Sequence, residues 1–367
     1  MKKNLKNIGF SICAAFALFI SIASFKSLDL NKLSQLYKTN VFGMMIIFVL
    51  VIRALSKDKV NICNSKKVLS FLFSSFMIIG ECASSAGNIM LMFNNAATIA
   101  ITILKAVGYY TIFKICFYYL DLFLNGFKNK EMKVKNSKFR KFFEFFDEKP
   151  FLSSFIVILL FFSVYIIAFY PIVLSPDPSN QILQYYNVRT KYADWAILRN
   201  ENIFMTNHHP VMQTFLIGWC IDFGRMILND NFGLFIYTMI QTLIYVSTLA
   251  YTIKFLKNNG VSLKLRFILL IIYSVVPHYA FYTVSAVKDT LYTAFMIWLI
   301  LFMIDVVRNY KDKIIGFKYI LFITLMVIMM SLMRHNGLYI AVISFVALMI
   351  YSRKNVSKLF LSLLLQE

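Results

Sequence analysis

Runs of about twenty apolar residues recur along the whole 367-residue chain, and an α-helix of that length crosses the hydrocarbon core of a bilayer. Read as helices, they predict spans near residues 8–25, 39–56, 68–84, 95–119 and 151–172, and then near 232–254, 267–282, 286–307, 316–333 and 337–352. The expected fold is therefore all-α, a polytopic integral membrane protein of about ten transmembrane helices. A further apolar run begins at Val356 and stops at Glu367, too short to span, so the bundle reads as truncated at its C-terminal end. The first run follows Lys2, Lys3 and Lys6 and leads to no small-residue cleavage site, so it reads as a retained signal anchor.

Composition supports this reading. Hydrophobic residues make up 59% of the chain, charged residues 15%, and the mean hydropathy is +0.69, whereas soluble domains carry roughly 25% charged residues. The net charge of +21, from 38 Lys and Arg against 17 Asp and Glu, would suggest nucleic acid in a soluble protein. Here the cations cluster in the loops between apolar runs, and no nucleic-acid motif accompanies them, so the partner they imply is the lipid bilayer. The five cysteines, Cys13, Cys63, Cys82, Cys116 and Cys220, stand singly and read as packing residues.

The cations also set a topology. Arg53, Lys57, Lys59, Lys66 and Lys67 follow the second span, and Lys128, Lys130, Lys133, Lys135, Lys138, Arg140, Lys141 and Lys149 follow the fourth. Basic loops stay in the cytoplasm, which puts the N-terminus inside and sends the fifth span outward across the plasma (cytoplasmic) membrane. The segment from Val211 to Asn229 is long enough to cross, but a crossing there would move Lys254, Lys257, Lys264, Arg266 and every later basic loop outside. It also carries Asp222 and Arg225 one turn apart, which suit an interface better than hydrocarbon. It is expected to lie on or dip into the external surface. The organisation that results is a four-helix N-terminal extension (1–125), a basic cytoplasmic loop (126–150) and a membrane region (151–367) with an external loop at 173–231.

Under this topology several polar clusters meet at the external face: Ser175 to Gln181, Asn207-His208-His209-Pro210, Lys288-Asp289-Thr290 and Arg334-His335-Asn336-Gly337. Each has a plain alternative. Asp177 between two prolines suits a turn, Pro210 suits the first turn of a helix, Lys288 and Asp289 neutralise one another at a helix start, and Asn336-Gly337 is a common turn pair. Their convergence in one layer points to a site facing out. Lys114 lies close enough to the inner surface to snorkel; Lys105 lies deeper and is expected to meet a lipid phosphate.

From Phe151 to the end, an outward span, a long external loop with an early Asp, an interfacial helix opened by a His-Pro pair and a return span resemble the GT-C class of membrane glycosyltransferases. The pattern is similar to the protein O-mannosyltransferase and lipid A aminoarabinose transferase branch, and to uncharacterised bacterial membrane proteins. The resemblance implies transfer of a sugar, with inversion, from a polyprenyl-phosphate donor to a cell-envelope glycan, lipid or protein acceptor. It implies Asp177 as general base on the acceptor hydroxyl. Lys288, Arg334 and His209 would bind the donor phosphate, and Gln181, His208, Asp289, His335 and Asn336 would bind substrate. The histidines could instead orient Asp177 or hold a divalent metal, as in some class members, although adjacent histidines rarely chelate one ion. Two features depart from the branch. Asp177 is followed by Pro178 where the mannosyltransferases have a second acidic residue, and the catalytic loop follows the fifth span instead of the first.

Two other functions fit parts of the pattern. A transporter or flippase of lipid-linked intermediates would place its charges along a midplane path, whereas these clusters lie at one surface. A membrane acyltransferase would depend on a histidine base, His209 or His335, and not on Asp177. A scaffold without catalysis would need neither.

Overall fold

A computed structural model describes residues 62–127, 137–189, 205, 209–309 and 317–351. The expected spans at 8–25 and 39–56, the stretch 128–136 of the expected basic loop, His208 and the run after Val356 lie outside the described residues. Among the described residues the structure is helical apart from turns and one isolated bridge. The chain divides into two compact units, Met1–Asn129 and Lys130–Glu367.

In the first unit, α1 (Asn64–Ala86) and α2 (Ala96–Asn125) pack along one another, joined through a short 3-10 turn (Ile89–Phe93). Gly87 ends α1 with φ +64°, the left-handed geometry that glycine adopts without penalty. Asn95 opens α2 with a capping box, its side chain accepting from the Thr98 amide while Thr98 accepts from the Asn95 amide. Ser70, Ser74, Ile78 and Cys82 recur every four residues as the buried stripe of α1. Lys105 does not reach for lipid. It is fully buried, and its ammonium donates to both carboxylate oxygens of Glu81 at 2.8 and 3.0 Å. A charge this deep among apolar helices needs a paired countercharge, and Tyr109 donates a further bond to Glu81 at 3.2 Å.

The second unit begins with α3 (Ser137–Glu148), an amphipathic helix. Its Phe142, Phe143 and Phe146 meet Phe267 edge to face, while Asp147 pairs with the buried Arg266 at 2.6 Å. Then follow α4 (Pro150–Ala168), α5 (Pro176–Tyr185), α6 (Val211–Ile227), α7 (Asp230–Asn258), α8 (Leu263–Val275), α9 (Pro277–Thr283), α10 (Lys288–Asn309), α11 (Phe317–Met333) and α12 (Asn336–Tyr351). The long helix α7 is central. It packs against α4, α6, α8 and α10, and the buried side chains of α4, α7 and α8 form one apolar core with Phe162, Val246, Leu249, Ile253 and Leu270. A second core joins α10 to α11 and α12 around Leu291, Phe295, Leu299 and Met330.

Among the described residues five helices, α1, α2, α4, α7 and α10, are long and apolar enough to cross a membrane, or six if α8 and α9 form one bent span. Helices α11 and α12 are apolar but shorter. The outward faces match: Leu160, Val164 and Ile167 of α4 are 65–77% exposed, which suits lipid contact and would be costly in water. The chain thus has the helices of a membrane protein. The single span expected at 267–282 is two helices meeting at 56°. Pro277 lacks an amide hydrogen and holds Val276 extended (φ −70°, ψ 115°), so α8 stops and α9 restarts with proline at its first position.

Helix α6 lies against α7 at very close range. A Cβ at Gly224 would sit 2.2 Å from the Gly233 nitrogen, so two glycines face each other where the helices cross. Arg225 donates to Asp230 of α7, its Nη2 at 2.9 Å from Oδ2, and its guanidinium stacks over the Tyr186 ring at 4.4 Å.

Candidate functional site

The polar clusters are brought together by a feature with almost no local signature. After α4 the chain runs extended through Pro171–Leu174, and Val173 forms a parallel bridge with Ser285, in the break between α9 and α10. The Val173 amide donates to the Val284 carbonyl at 2.8 Å, and the Ala286 amide donates to the Val173 carbonyl at 3.0 Å. Because the two strands run in the same direction, the residues downstream of each are carried to the same end. Asp177 lies four residues past Val173 and Lys288 three past Ser285, and their side chains meet with Lys288 Nζ 3.7 Å from Asp177 Oδ2. At that separation the contact is an ion pair without a direct hydrogen bond.

Asp177 is held in the first turn of α5, behind an extended Ser175 and a proline at the first helical position. Its side chain is 61% exposed, against 26% for Lys288. Asp289, the next residue, pairs with Arg334 in the turn between α11 and α12. Arg334 also lies over the Tyr292 ring at 5.7 Å. Asp177, Lys288, Asp289 and Arg334 therefore form a row of alternating charge contributed by three separate parts of the chain. The Arg334 turn is tight: the Gly337 amide donates to the Arg334 carbonyl at 2.8 Å, and a Cβ at Gly337 would sit 2.7 Å from the Met330 carbonyl oxygen. His335 and Asn336 are exposed beside it.

Gln181 and His209 differ from these in being buried, at 1% and 6% exposure. The Gln181 amide donates to Thr214 Oγ1 at 3.2 Å and toward the Pro210 carbonyl at 3.4 Å, so it ties α5 to the start of α6. Its hydrogens are engaged in that joint. Helix α5 is pinned at its other end too. Tyr185 and Tyr186 both donate to Asp222 of α6, at 2.6 and 2.8 Å, and the Tyr185 ring lies directly on Gly218. The hydrogen bond to the Asp222 carboxylate pushes the Tyr185 hydroxyl up to about 12. Among the described residues no group of three His, Cys, Asp or Glu side chains is placed to hold a metal.

Sequence reasoning missed a second layer under this row. Gln213, Tyr237, Thr238 and Gln241, from α6 and α7, are all buried. Thr238 donates to the Pro171 carbonyl at 2.8 Å, and the Gln241 amide donates to the carbonyls of Thr283 and Ser285 at 2.8 and 2.9 Å, with Tyr282 at 3.3 Å. The available signal was the presence of two glutamines within otherwise apolar helices, since an amide in hydrocarbon is retained only where partners await it.

A family model spans residues 6–366, almost the entire chain. The protein belongs to the DUF6020 family. That family is described as one of unknown function, and no curated protein and no solved structure matches the chain. For this DUF6020 protein the site itself must carry the functional reading. It offers an exposed carboxylate beside a partly buried ammonium, with a guanidinium one ion pair away, all at one end of a bundle of apolar helices.

Proposed function

We propose that this protein is a membrane glycosyltransferase that takes a sugar from a polyprenyl-phosphate donor and passes it to a cell-envelope acceptor. In this reading the bundle has about ten spans in the plasma membrane with the N-terminus inside, as the basic loops direct, and the charged row faces outward. The observation that carries it is the exposed Asp177 carboxylate held 3.7 Å from Lys288, which sets a base beside a cation where water, lipid and acceptor meet.

The chemistry follows from those groups. As the acceptor oxygen bonds to the anomeric carbon, its proton passes to the Asp177 carboxylate. The bond from that carbon to the phosphate oxygen breaks, and its electron pair leaves on the polyprenyl phosphate. Lys288 and Arg334 stabilise the charge that develops there, with Asp289 holding Arg334 in place. Asn336 and His335, exposed beside Arg334, are positioned to hydrogen-bond sugar hydroxyls, and His209 backs the phosphate from the start of α6. Attack from the face opposite the leaving phosphate inverts the anomeric centre.

The test requires no prior guess of the sugar. Lipids that co-purify with the detergent-solubilised protein are identified by mass spectrometry against a control membrane protein. Enrichment of a polyprenyl-phosphate sugar identifies the donor, and turnover of that donor is expected to fall by about 10²-fold or more in Asp177→Asn. Ordinary phospholipids alone, or full turnover in Asp177→Asn, overturn the reading.

A further inference from the structure

The break between α9 and α10 leaves a row of backbone carbonyls without helical partners at Tyr282, Thr283, Ser285 and Ala286. In a membrane bundle such groups must be satisfied by neighbouring side chains. Here much of that task falls to two glutamines of two other helices, joined by a tyrosine, while the Val287 amide also donates to the Ser285 carbonyl at 2.8 Å. Gln241, fully buried on α7, donates to the carbonyls of Thr283 and Ser285 at 2.8 and 2.9 Å and lies 3.3 Å from that of Tyr282. Gln213, 1% exposed on α6, donates to the Ala286 carbonyl at 3.2 Å. Tyr237 joins the two glutamines, donating to Gln241 Oε1 at 3.1 Å and lying 3.4 Å from Gln213 Nε2. Thr290, in the first turn of α10, donates to the Tyr282 carbonyl at 2.8 Å and closes the break from the far side.

We infer that Gln213, Tyr237 and Gln241 are positioning residues that hold the α9–α10 break in the one conformation that sets Lys288 and Asp289 opposite Asp177 and Arg334. The glutamines are suited to this because an amide presents two donors and an acceptor without a charge. Gln241 spends its donors on carbonyls of the break, and its acceptor fixes Tyr237. A leucine would fill the same space, leave the Thr283 carbonyl without a partner, and reduce Ser285 and Tyr282 to the Val287 amide and the Thr290 hydroxyl. The network also governs Val173. The carbonyls of Ser285 and Ala286, gripped by the glutamines, flank the Ala286 amide that donates to Val173, so loosening the grip releases both sides of the bridge. Thr238, one residue after Tyr237, holds the Pro171 carbonyl from the same helix, so α7 carries both strands of the bridge.

This inference concerns placement of the charged row. It rests on the proposed glycosyl transfer only where turnover is the readout. The experiment uses the full-length protein in detergent or nanodiscs and compares Gln241→Leu and Tyr237→Phe with the parent. Two measurements need no substrate: hydrogen–deuterium exchange of peptides covering 171–175 and 282–288, and the acetylation rate of Lys288 relative to the exposed Lys264 as internal standard. Gln241→Leu is expected to speed exchange in both peptides about tenfold, the effect of unmaking one or two hydrogen bonds, and to raise Lys288 labelling severalfold while the middle of α10 keeps its protection. Tyr237→Phe, which removes one hydroxyl and folds with the least disturbance, is expected to do the same to a smaller extent. Once a donor is known, Gln241→Leu should lower kcat more than it raises KM. Unchanged exchange and labelling in a folded Gln241→Leu, or faster exchange spread evenly through α7 and α10, overturns the inference. Neither outcome bears on whether the donor is a polyprenyl-phosphate sugar, which the lipid analysis decides separately.

Discussion

Substitution of Gly218 by alanine tests whether the seating of α5 on α6 controls the position of Asp177. An alanine Cβ at this position would lie 2.5 Å from Cγ, Cδ1 and Cδ2 of Tyr185. Carbon atoms pack at about 3.5–4.0 Å, so the ring must retreat by about 1 Å. It is not free to do so, because its hydroxyl donates to Asp222 at 2.6 Å. Overpacking of this kind costs about 1–3 kcal/mol, and weakening a hydrogen bond to a carboxylate adds about 1.5–3 kcal/mol. Even the lower sum, about 2.5 kcal/mol, shifts the docking equilibrium of α5 roughly fiftyfold, at about 1.4 kcal/mol per factor of ten. Hydrogen–deuterium exchange of a peptide covering 176–186 reads this directly, with α7 and α10 as unperturbed references. Turnover should fall by about 10²-fold, because Asp177 rides on the displaced helix and a misplacement of about 1 Å costs that much. Adding Tyr185→Ala removes the clash, so the double variant should fall short of additivity by about 1 kcal/mol or more. A change in α5 exchange of less than threefold in Gly218→Ala, or strict additivity with Tyr185→Ala, would refute the reasoning.

Three other substitutions or conditions follow from the same contacts. Lys288→Met should leave thermal stability within about 1 kcal/mol of the parent, because an ion pair whose carboxylate is mostly exposed contributes little. Retention of a polyprenyl-phosphate lipid, quantified by mass spectrometry per mole of protein, should nevertheless drop about 10–100-fold in that variant through loss of a charge-assisted contact. Gly337→Ala should open the turn that carries Arg334, since the new Cβ meets backbone at 2.7 Å; a stability loss of about 1–3 kcal/mol should accompany a donor loss matching that of Arg334→Met. The docking of α5 should also weaken in alkali. The Tyr185 hydroxyl titrates at about 12 when folded against an ordinary value of 10.0, so its contribution is complete below pH 10 and is lost as the pH rises toward 12. Exchange of the 176–186 peptide across that range checks this, and Tyr185→Phe should weaken the pH dependence, leaving the part that Tyr186 contributes through its own bond to Asp222.

The contrast between Lys105 and Lys288 shows what was legible in the sequence. Both stand out as cations near or inside apolar runs. Lys288 sits within two residues of the expected start of its helix, beside Asp289, and the structure brings it to Asp177 as one row with Arg334. Lys105 faces Glu81 of the neighbouring helix instead of lipid. Which side chain answers a buried charge depends on which helix faces meet, and no local pattern records that. Gln181 falls between these cases. It lies in the polar cluster as expected, but its amide is engaged by Thr214 and Pro210, a partnership that required α6 to be placed first.

What the sequence alone determined is what short-range physics controls. Apolar run length marks the helices, and their observed ends lie within about four residues of the expected ones for α1, α4, α7, α10, α11 and α12, while α2 runs six residues further. Asn95 and Ser175 act within one turn of themselves, as does Pro277, whose break the single span expected at 267–282 did not foresee, and the distribution of Lys and Arg grouped the polar clusters at one end. The tertiary structure decided everything that depends on contact between distant segments. The bridge from Val173 to Ser285 joins residues far apart in the chain through a single paired position, too short to impose an alternating pattern on either strand. The Gln213–Tyr237–Gln241 network exists because α6 and α7 meet the α9–α10 break there, and the Gly224–Gly233 and Gly218–Tyr185 contacts exist because neighbours approach where side chains are missing. Burial and pairing energies of this kind arise only once the faces have met, and for that reason the placement of Asp177 against Lys288 belongs to the fold and not to either motif.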